Sequence, residues 1–120
     1  MDWPKFIKPY EPRYAKGVDY DIAIDSILRD NGTMEADEYE IPPHEVVIFL
    51  SKEVVEIPEG YVGFLAIRKS YLKKGLRFEA GFVHSGYKGR LEIELENRTD
   101  KPIKLKRGER PVCLRILRIP

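Results

Sequence analysis

The sequence has almost none of the residues that build disulfides or thiolate metal sites. Its 120 residues include one cysteine, Cys113, which excludes a disulfide within the chain and a multi-cysteine metal site. A lone cysteine agrees with a reducing compartment. Apolar runs of the roughly 20 residues that span a membrane are also missing, and the N-terminus lacks the apolar segment of a signal peptide. We therefore expect a cytoplasmic protein that does not act at a membrane.

The sequence also lacks an excess of charge of one sign. It has 21 Lys and Arg against 20 Asp and Glu, a net charge of +1, so no general basic field favours nucleic acid, and we expect no such partner. Glutamine is absent, and asparagine occurs only as Asn31 and Asn97. Few amides among many charged residues are typical of proteins from thermophiles.

Long helical periodicity is scarce, and short alternating apolar segments take its place. The stretch "RLEIELEN" puts Leu91, Ile93 and Leu95 on one face of a strand and three glutamates on the other. The stretches "KPIKLKRGER" and "PVCLRILRI" alternate in the same way, whereas "HEVVIFLSKEVVEIP" is more continuous, as in a strand buried on both faces. Turn-forming residues separate these segments. The pattern predicts one all-β domain over residues 1–120, a sandwich or a barrel.

Three segments carry additional predictions. The stretch "RKSYLKKGL", residues 68–76, predicts a short helix that ends at Gly75. Residues 1–14, which are rich in proline and aromatic side chains, predict an N-terminal arm outside the core. The stretch "GFVHSGYKG", residues 81–89, predicts a tight hairpin, because its glycines supply the positive φ angles that such turns need.

The order of five motifs resembles the trimeric dUTPase / dCTP deaminase family over about residues 17 to 119. They are "VDYDIAI", "IPEGYVG", "IRKSYLKKGL", "AGFVHSGYKGRLEI" and "KPIKLKRGERPVCLRI". The resemblance implies a jelly-roll-like β-sandwich of the dUTPase-like type with one short helix, assembled as a homotrimer with active sites between subunits. It implies dCTP or dUTP as the substrate, with Mg²⁺ as the cofactor carried on the triphosphate. Such an ion needs few protein ligands, and we expect no metal-binding residues in the chain.

The resemblance gives two residues a catalytic role. Glu94 matches the glutamate with which dCTP deaminases move protons as water attacks C4 of cytosine. His84 stands where dUTPases carry the aspartate that activates water, and a neutral imidazole can act as a base near pH 7. Each residue also has a plain structural interpretation. Glu94 would then be one of three glutamates that face solvent, and His84 would be an ordinary turn residue.

The resemblance implies further contacts around the substrate. Substrate-binding residues would be Arg68, Lys69, Ser70, Lys73, Ala80, Gly86 and Tyr87. Asp21 and Arg110 would be structural residues near the site. Several matches depart from the family pattern: Lys69 replaces a serine, Phe82 replaces an arginine and Cys113 replaces a glutamine.

The sequence leaves three functions open. Glu94 favours deamination of dCTP, and the printed chain ends at "RILRIP" without the glycine-rich arm of dUTPases. The first alternative is a dUTP diphosphatase that releases dUMP and pyrophosphate. The second is a non-catalytic family member that binds nucleotide or regulates a partner. We expect an enzyme.

Overall fold

The computed structural model describes residues 1–79 and 81–120 and is built mainly from β-strands. The strands are β1 (Ile7–Lys8), β2 (Ala15–Lys16), β3 (Asp19–Ile22), β4 (Ile24–Arg29), β5 (Gly32–Met34), β6 (Glu38–Ile41), β7 (Val46–Glu56), β8 (Tyr61–Ile67), β9 (Leu76–Arg77), β10 (Gly81–Val83), β11 (Lys88–Asn97), β12 (Ile103–Lys106) and β13 (Val112–Arg118). The helical segments are α1 (Lys69–Lys73) and two 3₁₀ turns, Trp3–Lys5 and Pro12–Tyr14.

Two antiparallel sheets and a small two-stranded sheet enclose the core. The larger sheet runs in the order β5-β4-β7-β11-β9, with β1 also paired to β7, and the second sheet runs β10-β8-β13-β3-β2. Strands β6 and β12 form the small sheet. The alternation predicted for β11 is confirmed, because Leu91, Ile93 and Leu95 are all buried in the core. The structure therefore confirms an all-β fold with one short helix.

The first residues of the chain belong to the core, so the predicted N-terminal arm is wrong for residues 3–7. Trp3, Phe6 and Ile7 are each less than 5% exposed. Ile7 lies opposite Val55 in the pairing of β1 with β7, and the ring of Trp3 lies 5.5 Å from that of Tyr20. Aromatic residues next to prolines have the composition of an arm, but they fill the end of the sandwich here because strand pairing anchors the segment.

Strand β7 is buried on one face only, which corrects the prediction from its continuous apolar run. Phe49 and Val55 are fully buried, whereas Val46 and Val54 are 54% and 38% exposed. Antiparallel sheets commonly cover one face and leave the other open. In the single chain, the outer face of β7 has no second layer within the part that the structure describes.

The segment at 81–89 is not a hairpin. Strand β10 pairs with β8, whereas β11 pairs with β7, so the turn between β10 and β11 connects the two sheets. The backbone N–H of Gly86 donates to the carbonyl of Ile57 over 2.6 Å, and the N–H of Ile57 donates to the carbonyl of Tyr87 over 2.9 Å. These bonds fix the turn against the loop before β8, a long-range contact that local sequence does not reveal.

The short helix α1 forms where the sequence predicted it. It is followed by Gly75, whose φ of +97° lies in the left-handed region that glycine adopts at helix ends. Among the described residues, no helix has the length and apolar character needed to cross a membrane.

Candidate functional site

An open cleft of about 740 Å³ lies beside strand β11, near the edge where the two sheets separate. Its lining comprises Val46, Leu65, Arg77, Phe78, Glu79, Gly81, Phe82, Glu92, Glu94, Glu96 and Arg98. A cleft of 300–1,000 Å³ is of the size that binds small molecules. One wall is acidic and comes from β11, and the other includes two phenylalanines.

Three glutamates of β11 form the acidic wall. Glu92 and Glu94 are exposed, and Glu96 is partly covered. The carboxylate of Glu96 accepts a hydrogen bond from Nε of Arg98 over 3.0 Å. No hydrogen bond or ion pair to the Glu94 carboxylate occurs among the described residues, so this carboxylate is open to a ligand or to water.

The aromatic wall is formed chiefly by Phe82. Its side chain is 66% exposed and meets the ring of Phe64 edge to face at 4.9 Å between centroids. This residue departs from the arginine of the family pattern, so the wall that faces the carboxylates is apolar at this point. An apolar wall opposite carboxylates suits a flat, partly polar ring.

The turn between β10 and β11 exposes His84. The N–H of Tyr87 donates to the carbonyl of His84 over 3.1 Å, and Gly86 has a φ of +87°. A positive φ at the third position of a four-residue turn is the geometry that glycine serves. His84 is exposed and does not line the cleft that contains Glu94.

Tyr87 has its hydroxyl bonded locally rather than free. The hydroxyl donates to the carbonyl of Arg90. Burial, and then the negative charge of Glu92, raise the pKa of Tyr87 above its ordinary value, so the phenol stays neutral at physiological pH. The ring is 37% exposed and leaves part of its surface for contact with a ligand.

Arg68 precedes α1 and is held by several contacts. Its Nη1 donates to the carbonyl of Arg110 over 2.9 Å, and its Nε lies 3.5 Å from a carboxylate oxygen of Asp21. The side chain is 32% exposed. The next residues, Lys69 and Ser70, are exposed on the first turn of α1.

Asp21 and Arg110 take part in a buried charge cluster, in agreement with the structural role that the resemblance implied. Nη1 of Arg110 donates to a carboxylate oxygen of Glu53 over 2.7 Å and to the backbone carbonyl of Asp21 over 2.5 Å. The Arg110 guanidinium also lies over the ring of Tyr14, 3.4 Å from its centroid. Planar stacking and a charge-assisted hydrogen bond are typical of a buried arginine.

The predicted site residues fall into two groups. Of them, only Glu94 lines the cleft beside β11, among the residues that the structure describes. Arg68, Lys69, Ser70, Lys73, Gly86 and Tyr87 do not line it. Ala80 lies outside the described residues. The single chain therefore does not bring the predicted catalytic carboxylate and the predicted phosphate contacts into one cavity.

Sequence reasoning missed Glu53. Its side chain is 1% exposed, and its carboxylate accepts hydrogen bonds from Arg110 and from the backbone N–H of Ala23, the latter over 3.0 Å. A signal was present in the sequence, since Glu53 shares the inward face of β7 with Phe49 and Val55. The apparent continuity of the apolar run concealed that a glutamate occupied a core position.

A family model described as dCTP deaminase-like matches residues 7–118. The chain belongs to this family. The resemblance and the dUTPase-like fold predicted from the sequence are thereby confirmed.

Individual relatives within the dCTP deaminase-like family carry two different names. The chain is 29% identical over 117 residues to the dCTP deaminase of Pyrococcus horikoshii, covering 94% of this chain and 75% of that protein. It is 36% identical over 97 residues to a probable deoxyuridine 5'-triphosphate nucleotidohydrolase of Sulfolobus islandicus rod-shaped virus 1, covering 78% of this chain and 60% of the relative. Both names denote hydrolytic enzymes, as the sequence led us to expect.

Solved structures show the same fold. The dUTPase of phage phi11 of S. aureus superposes with a TM-score of 0.73 at 22% identity and covers 94% of this chain and 84% of that one. The dUTPase of Staphylococcus bacteriophage 80alpha with dUpNHpp gives a TM-score of 0.70 at 23% identity, covering 95% and 82%. The chain spans three quarters of the Pyrococcus relative but 60% of the viral relative and 44% of the Pyrobaculum arsenaticum dCTP deaminase.

Proposed function

We propose that the protein hydrolyses a pyrimidine deoxynucleoside triphosphate, and that it deaminates dCTP with Glu94 as the proton carrier. The observation that carries this proposal is the position of Glu94. Its carboxylate lies on the wall of an open cleft large enough for a nucleoside, at the place in the chain that matches the deaminase glutamate. Membership of the dCTP deaminase-like family supports the substrate class.

The reaction requires one group that can accept and return a proton. The Glu94 carboxylate takes a proton from water as the oxygen bonds to C4 of cytosine. It then returns that proton to the 4-amino group, the C4–N bond breaks, and ammonia leaves to give dUTP. A carboxylate acts best in this role when its pKa approaches the working pH. In the single chain Glu94 is exposed, so a covering surface is needed to exclude water from it.

We assign that cover to a second copy of the chain in a homotrimer. Glu94 and the basic residues of the Arg68 segment do not share a cavity in one chain, and a site shared between copies would bring them together. Arg68, Lys69, Ser70 and Lys73 then contact the triphosphate, while Gly86 and Tyr87 contact the deoxyribose. Ala80 is assigned to the base.

Magnesium enters this proposal with the substrate. Phosphate oxygens and water supply most ligands of an ion carried on a triphosphate, so the chain need not provide a cage of carboxylates. The solved phage phi11 dUTPase is described as coordinating a structural Mg(II) ion. In the proposed site, the positive charge near Arg68 offsets the phosphate charge that the ion leaves uncompensated.

The second candidate function is dUTP hydrolysis to dUMP and pyrophosphate. The observations that favour it are the viral relative named as a probable deoxyuridine triphosphate hydrolase and the exposed His84 in the turn between β10 and β11. In that reaction His84 would accept a proton from the attacking water. The cleft beside β11 would then bind the base without taking part in proton transfer.

Product analysis distinguishes these functions. The purified protein is incubated with dCTP and, separately, with dUTP, each with Mg²⁺, at 25 °C and at elevated temperature, and the nucleotides are separated. We expect dUTP or dUMP from dCTP. The Glu94→Gln variant should lose this turnover and keep dCTP binding, while Glu92→Gln, on the same face of β11, should retain activity.

Each other outcome selects a different function. Release of dUMP from dUTP alone would support the diphosphatase, with His84→Ala as its decisive variant. No turnover of either nucleotide, together with binding of both, would identify a non-catalytic member. Full activity of Glu94→Gln on dCTP would refute the proposed role of this residue.

A further inference from the structure

The buried pair of Glu53 and Arg110 joins elements that are distant in sequence. The Glu53 carboxylate bridges the N–H of Ala23 and the Arg110 guanidinium. Both side chains are at least nine-tenths buried. Nε of Arg110 is buried without a hydrogen-bond partner among the described residues, so Glu53 supplies the principal countercharge at a closely packed centre.

Arg110 in turn fixes the surroundings of Arg68 in two ways. The Arg110 backbone carbonyl accepts a hydrogen bond from the Arg68 guanidinium over 2.9 Å. The Arg110 side chain holds the backbone carbonyl of Asp21, whose carboxylate lies 3.5 Å from Nε of Arg68. Lys16 lies 3.1 Å from the other carboxylate oxygen of Asp21, which places Asp21 between two cations.

We propose that Glu53 is a positioning residue for the triphosphate site. It orients Arg110, and Arg110 sets the position of the Arg68 guanidinium through its own carbonyl and through Asp21. This inference rests on the proposed function, in which Arg68 contacts the triphosphate. An arginine that is fixed before the ligand arrives loses less conformational freedom on binding.

The burial of Glu53 favours this role over stabilisation alone. Burying two charges is costly, and an apolar pair of similar volume commonly stabilises a core as well as an ion pair does. The geometry here does something that an apolar pair would not do. It directs Arg110 onto the carbonyl of Asp21, and thereby places an acceptor beside Arg68.

The test measures binding of inorganic tripolyphosphate and of dCTP by isothermal titration to the full chain. Tripolyphosphate is the probe because it reports on the phosphate contacts without base recognition or turnover. The variants are Glu53→Gln, Arg68→Ala and the double variant, with Glu56→Gln as the matched control. Glu56 is an exposed glutamate on the same strand, so its substitution removes the same charge without touching the buried pair.

We expect Glu53→Gln to raise the Kd for tripolyphosphate roughly tenfold and Glu56→Gln to leave it unchanged. In the Arg68→Ala background, Glu53→Gln should have no further effect, because residues that act through one another are not additive. A merely structural role would lower the thermal midpoint without this dependence on Arg68. If Glu53→Gln does not fold, Glu53→Asp keeps the charge, shortens the side chain and should weaken binding to a lesser degree.

The remaining outcomes separate this inference from the proposed function. Wild-type protein that binds neither dCTP nor tripolyphosphate would overturn the proposed function and this inference with it. Normal tripolyphosphate binding by folded Glu53→Gln, or by folded Glu53→Asp if the former does not fold, would overturn the inference alone. Equal weakening in the presence and absence of the Arg68 side chain would overturn it as well, since Glu53 would then act by another route.

Discussion

Replacing Arg110 by methionine should destabilise the protein severely. The change leaves the Glu53 carboxylate, 1% exposed, without its countercharge and removes the guanidinium that stacks on Tyr14 at 3.4 Å. Removing one partner of a buried ion pair typically costs about 3–5 kcal/mol. Single domains have a free energy of unfolding of about 5–15 kcal/mol, so Arg110→Met should consume a large part of it.

The double variant Glu53→Gln with Arg110→Met should be more stable than Arg110→Met alone. Glutamine keeps an acceptor for the N–H of Ala23, which Glu53 bonds over 3.0 Å, and no buried charge remains. Contacting residues show coupling energies of about 0.5–3 kcal/mol. We expect a coupling near the upper end of that range, because both side chains are buried.

Urea unfolding at one fixed protein concentration measures these effects, since the stability of an oligomer depends on concentration. The denaturant slope should stay constant across the series, so that midpoint shifts report on stability. A cost below about 1 kcal/mol for Arg110→Met would refute the reasoning. So would strict additivity of the two substitutions, because the carboxylate and the guanidinium would then not compensate each other.

Three further predictions concern the N-terminus, α1 and its end. Trp3→Ala should cost about 3–5 kcal/mol in urea unfolding, as for a buried aromatic residue, because Trp3 is 2% exposed. Burial and then the hydrogen bond to Glu109 raise the pKa of Tyr71 to about 12. This stabilisation is complete below the unfolded pKa of about 10 and is lost as pH rises toward 12, so Tyr71→Phe should flatten the decline of unfolding free energy measured across that range. Gly75→Ala should cost more than about 1 kcal/mol, because φ is +97° and a Cβ would lie 2.2 Å from Cγ2 of Thr99.

Matched controls make these three predictions specific. Met1→Ala truncates an exposed neighbour of Trp3, and equal costs for the two changes would mean that the N-terminus is an arm after all. An unchanged pH profile for Tyr71→Phe would contradict the raised pKa of Tyr71. Gly17→Ala also introduces a side chain at positive φ but meets no atom within 4 Å, so it should cost less than Gly75→Ala. The reverse order would contradict the predicted clash.

Local sequence was sufficient for the strands that alternate regularly. Leu91, Ile93 and Leu95 all face the core, because period-two alternation reports directly on which face of a strand is buried. The short helix at α1 was equally legible, since the glycine that follows it marks the helix end. The ordered motifs further indicated the family, which the match over residues 7–118 confirmed.

Local sequence failed where a residue's partner comes from another part of the chain. Trp3 and Phe6 looked like arm residues, since nothing adjacent shows that β1 pairs with β7. The turn at Gly86 looked like a hairpin, because the residues 81–89 do not reveal that the flanking strands pair with different sheets. Both errors come from contacts of long sequence separation.

The sequence by itself determined the all-β class, the inward faces of β11 and β13, and the presence of a glutamate at position 94. Tertiary structure decided that Glu94 lies on an open cleft and that Glu53 is buried against Arg110. The physical reason is that burial and charge compensation depend on neighbours brought together by folding. A carboxylate on a strand can face solvent, a substrate or a buried arginine, and only the packing of the other strands distinguishes these environments.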